Sequence, residues 1–124
     1  MELADSILTD TREAIGLSSE PSPFDKDLLM HINSAIGKLQ QNGIGFPVVV
    51  TAETTWAEFQ NPTQTYGNQY FQMVPLFVTL STKLLFDPPP PSTVQYYVSN
   101  IDQLLWRLKI AYEEPYVAPA TIEE

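Results

Sequence analysis

LLFDPPPPSTV, residues 84–94, sets four consecutive prolines between two apolar patterns of helical spacing. A residue before proline is pushed out of the helical region, so Asp87 before Pro88 ends the preceding helix near Phe86. Consecutive prolines favour polyproline II at ~3.1 Å per residue, and four of them make a spacer of roughly 12 Å. Ser92 then reads as an N-cap with Gln95 completing a capping box. Phe86, Asp87, Pro88, Pro89, Pro90 and Pro91 thus form a stiff corner between two helices. The proline rings have little freedom left to lose, so the corner fixes both helices at low entropic cost. A proline-rich ligand for an aromatic groove would have to be exposed and detachable, which tight flanking by core helices opposes.

Working outward, the helix before the corner runs from about Tyr70 to Phe86. Val74, Phe77, Val78, Leu80, Leu84 and Leu85 cover most of its circumference, and Thr79, Thr82 and Lys83 form a polar strip. A helix apolar nearly all round is central. Pro75 either sits in the first turn or kinks it. The helix after the corner carries Val94, Tyr97, Ile101, Leu104, Leu105, Leu108 and Tyr112 as its stripe, and Pro115 stops it near Glu113. Upstream, Phe24, Leu28, Ile32, Ala35, Ile36 and Leu39 predict a helix with Ser22 as N-cap and Pro23 first, ended by Asn42-Gly43. A shorter helix is expected over Leu3 to Ile15, stopped at Gly16.

The middle of the chain has other chemistry. FPVVVTA, residues 46–52, is β-branched and suits one strand or an extended arm. TTWAEF offers Thr55 and Glu58 as a capping box for a turn or two of helix. QNPTQTYGNQ, residues 60–69, reads as an exposed loop. The expected fold class is mainly α: a small bundle of about four helices, a short extended or β segment in the middle, and an extended C-terminal tail. Residues 1–114 form the expected domain and residues 115–124 the tail.

Composition narrows the function. The chain has 124 residues, 44 % of them hydrophobic, enough for a real core. There are no cysteines and one histidine. Disulfides and thiolate chemistry are therefore excluded. His31, alone beside an apolar stripe, reads as structural rather than as a metal ligand. Asp25 and Asp27 read as first-turn dipole partners rather than a catalytic pair. Gly43-Ile44-Gly45 lacks the lysine and following cap of a phosphate loop. The residues therefore support no enzyme, no cofactor and no metal. A net charge of −9 opposes nucleic-acid binding through phosphate neutralisation. The acidic N-terminus is unlike a signal peptide, and the longest apolar stretch is too short to span a bilayer, so a soluble intracellular product is expected.

The corner also carries a resemblance. LLFDPPPP followed by LLWRL, together with Phe24-Asp25, Met30-His31-Ile32-Asn33 and TTWAEF in the same order, is similar to the head–tail connector, or adaptor, proteins of tailed phages. The resemblance runs from about Ser6 to Glu114. Pro75 and the length of the proline run depart from the family pattern. The resemblance implies a structural virion protein, assembled in the host cytoplasm, that binds beneath the portal as a ring of twelve copies. It further implies that the ring extends the DNA channel, lets DNA pass without specific binding, and receives a stopper or tail-completion protein. No catalysis is implied. The rival from another class is a small intracellular helical module that binds a single protein partner.

Within that expectation some residues stand out. Tyr96, Trp106 and Ile110 fall opposite the main stripe of the last helix. Either they face a neighbouring subunit or the portal, or the first helix or middle segment covers them. Tyr116, Val117 and Ile122 give the tail apolar anchors for a groove or sheet edge on the portal; the alternative is a disordered terminus. A carboxylate-lined lumen would repel DNA phosphate, and Glu53 and Glu58 are the channel-lining candidates.

Overall fold

The computed structural model describes residues 2–18 and 20–113. Six helices surround one apolar core, and no strand occurs among the described residues.

Helix α1 spans Ile7–Ala14. Ser6 caps it, its hydroxyl accepting from the Thr9 N–H and donating to the Ala52 carbonyl. The helix begins four residues later than the pattern from Leu3 predicts. The reason is tertiary: Leu3 and Asp5 carbonyls accept from Ala57 and Trp56, and Ile7 donates to Thr54. These pairings make an antiparallel bridge between Ser6 and Thr55. At the other end Gly16 takes φ +95°, and Leu17 N–H reaches back to the Arg12 carbonyl, closing a Schellman turn.

Helix α2, Asp25–Gln41, starts two residues later than predicted, with Phe24 rather than Ser22 at the N-cap position. Ser22 accepts from the Phe24 N–H instead of capping the helix, and Pro23 lies in the turn before it. Leu28, Ile32, Ala35, Ile36 and Leu39 face the core as predicted. Phe24 does not join them: it is half exposed and its ring meets Phe86 edge-on at 5.6 Å. Gly43 at φ +79° ends α2 by the same turn as α1, which carries Ile44 into the core.

Residues 46–51 have no regular secondary structure and no neighbouring strand, and Ala52 begins a turn. Side-chain amides replace the missing ladder. Asn33 on α2 accepts from the Val50 N–H at 2.7 Å and donates to the Val50 carbonyl at 3.0 Å. Gln40 donates to the Phe46 carbonyl. Helix α3, Trp56–Phe59, has the predicted Thr55–Glu58 capping box. Buried Trp56 donates from its indole to Asp10 at 2.8 Å. A further helix, α4, Thr65–Asn68, lies inside the predicted loop. Gly67 allows it: a Cβ there would overlap the backbone and ring of Tyr112.

Helix α5, Met73–Phe86, is central, packed on α1, α2 and a last helix, α6 (Pro91–Tyr112). Pro75 is its third residue, in the first turn, where its missing N–H costs nothing. The expected polar strip is only partly there. Thr82 is fully buried, whereas Leu85 points outward. The corner is also shorter than predicted. Pro90, in the polyproline II region, is the N-cap, and Pro91 is already the first residue of α6. Ser92 and Gln95 therefore lie inside the helix, and α6 has no side-chain cap.

Candidate assembly surfaces

The 22 residues of α6 span ~33 Å. Ile101, Leu104, Leu108, Ala111 and Tyr112 turn inward. Their spacing leaves Tyr96, Trp106 and Ile110 on the outer side, 70 %, 63 % and 52 % exposed. Among the described residues nothing covers this face, neither α1 nor the middle segment. Trp106 is the larger of these apolar groups, and a tryptophan left in water forfeits a large burial energy unless a partner covers it.

Ile110 also borders a groove of about 270 Å³ between α4 and the end of α6, lined by Tyr66, Tyr70, Met73, Arg107 and Ala111. The two tyrosine hydroxyls lie 3.4 Å apart, and that hydrogen bond raises the pKa of Tyr70 above its ordinary value. Beneath this groove, burial pushes Tyr112 up to about 12. A second groove, of about 180 Å³, opens where α2, α5 and α6 meet. His31 lines it and, like Lys38 on the same wall, makes no ion pair among the described residues.

The other candidate residues lie elsewhere. Glu53 and Glu58 are both exposed near the turn that leads into α3. Glu58 spends its carboxylate on the Thr55 N–H. Phe86 and Asp87 anchor the corner through the Phe24 ring and the Lys83 ammonium, respectively. Tyr116, Val117 and Ile122 lie outside the described residues. Asp25, in the first turn of α2 as expected, also forms a two-pronged ion pair with buried Arg12, at 3.1 and 3.0 Å. No sequence signal joined those two residues, because they sit on different helices. No cluster of three metal-ligating side chains occurs among the described residues. Nor is any described helix long and apolar enough to cross a membrane.

The family profile described as phage connector protein matches residues 7–115. Neither the curated proteins nor the solved structures yield a match. The profile begins at the first residue of α1 and runs past the end of α6, so it takes in every helix described above. With residues 7–115 matched, the chain belongs to the phage connector family, whose members are structural head–tail connector proteins of the virion.

Proposed function

We propose that copies of this chain form a ring, of twelve subunits as the family resemblance implies, on the portal. The ring assembles in the host cytoplasm, prolongs the DNA channel and receives the stopper or tail-completion protein. The observation that carries this reading is the outer face of α6, where Trp106 stands 63 % exposed beside Ile110 on a connector-family chain. A ring turns individually weak contacts into a stable assembly, because each added subunit engages neighbours and portal together. Residues 1–114 act as the ring-forming domain and residues 115–124 as a docking segment that uses Tyr116, Val117 and Ile122. The charge of −9 suits a conduit that must not hold its cargo, with Glu53 and Glu58 toward the passing DNA.

Trp106→Ala tests the reading. The side chain is largely outside the core, so the variant keeps the wild-type melting temperature. Electron microscopy of portal-bearing capsids should show rings with wild-type protein and few or none with the variant. Full ring occupancy by the variant removes Trp106 from the interface. Absence of rings with wild-type protein sinks the ring itself.

A further inference from the structure

A closed ring of identical subunits is heterologous: each copy must present two different patches, one to each neighbour. The outer face of α6 is one. The structure offers the second in the groove at the junction of α2, α5 and α6. Leu84, Leu85 and Ile101 form its apolar floor, and Leu85 is 58 % exposed. Ile101 and Trp106 are five residues apart on α6, about 140° around the helix. The groove and the tryptophan therefore open in different directions, as a head-to-tail contact requires.

Charge then pairs the two patches. Along α6, Asp102 lies one turn before Trp106 and Lys109 about one turn after it, on the same side. Along α2, His31 and Lys38 line the groove and Asp27 lies one turn before His31 on the same side of the helix, so the acid comes first and the lysine last. Asp27, Lys38, Asp102 and Lys109 make no ion pair within the described residues, and all four are exposed. If α6 of one copy crosses α2 of the next antiparallel, Asp102 lies toward Lys38 and Lys109 toward Asp27, the ~6 Å difference in their spacing being taken up by the long lysine side chains. The parallel arrangement would set like charges together.

Resting on the ring reading, we propose that Trp106 of each copy enters the α2–α5 groove of its neighbour, flanked by Asp102–Lys38 and Lys109–Asp27 pairs. The occupant of the groove is a second copy of this chain. Charge exchange tests it. Lys38→Glu should lower ring occupancy on portal-bearing capsids by about tenfold, and adding Asp102→Lys to the same chain should restore it. Both substitutions are on exposed residues, so thermal melting stays unchanged and reports intact folding. A second readout uses the absence of cysteine from the chain. Ser34→Cys with Gln103→Cys should give disulfide-linked ladders on the portal, while each single variant gives none. Rings that form with Lys38→Glu, or that Asp102→Lys fails to rescue, overturn this interface and leave the ring standing. Gln103→Cys dimers would show α6 meeting α6 and overturn it equally. If the wild-type chain forms no ring on the portal, the ring reading itself fails and this interface goes with it.

Discussion

Arg12 shows how much one residue carries in this fold. The residue is 3 % exposed, and its guanidinium reaches both carboxylate oxygens of Asp25, tying α1 to α2 across the linker between them. Asp25 also accepts the Ser22 N–H, which orients the carboxylate before α2 begins. A buried ion pair gains little over an apolar pair of the same shape, but removing one partner strands the other. Arg12→Ala should therefore destabilise the protein by about 3 kcal/mol in urea unfolding. Arg12→Met with Asp25→Leu should recover most of the loss. A double variant as unstable as the single one would show that the charges themselves are needed. Thr82 gives the opposite case. It is fully buried on the core side of α5, and its hydroxyl has no partner among the described residues. An unpaired buried hydroxyl costs on the order of 1 kcal/mol or more. Thr82→Val keeps the shape and should raise stability by about 1 kcal/mol. Lower stability in the variant would mean the hydroxyl is satisfied in solution.

Elements whose signal is local were legible in the sequence, and those set by distant contacts were not. The apolar spacing of α2 and α6 located both helices, because one face of each meets the core for several turns. The Thr55–Glu58 box and the Gly16 stop were read correctly, since each acts within a few residues. The start of α1 was not, because the carbonyls of Leu3 and Asp5 are taken by α3. Helix α4 was hidden as well: its formation depends on Gly67 fitting against Tyr112, forty-five positions away. Residues 46–52 were expected as one strand or an extended arm; no strand forms among the described residues, and what holds the segment was invisible in the sequence. Asn33 reads as an ordinary polar residue of α2, and only the fold shows its amide paired to both backbone groups of Val50. This amide acts as a one-residue substitute for a neighbouring strand. Asn33→Ala leaves two buried backbone groups unpaired and should cost about 2 kcal/mol. The Val50 amide should then exchange with solvent much faster than the amides of α5. Equal protection in the variant would mean that Val48 and Val50 hold the arm by packing alone.

At the scale of the molecule, the outward Trp106 face was visible on a helical wheel, since one helix contains it. The groove was not, because it exists only once α2, α5 and α6 are placed together. In the proposed ring both are contact surfaces, in keeping with a connector. A ring held only by subunit contacts would slide or tilt on its base, so attachment to the portal needs an independent anchor. Residues 115–124 suit that task in composition: Tyr116, Val117 and Ile122 supply apolar side chains, and two prolines reduce the freedom lost on docking. A short docking segment adds affinity without a second folded interface. Removing residues 115–124 should leave the melting temperature of the bundle unchanged. It should weaken retention on portal-bearing capsids by about tenfold, equivalent to ~1.4 kcal/mol for the ring as a whole. Because twelve such contacts act together in the proposed ring, the loss should be steeper at low protein concentration, where partial rings dissociate first. A pull-down of capsids by the truncated chain at a series of concentrations measures this. Wild-type retention across the series would assign portal attachment to the helical bundle alone.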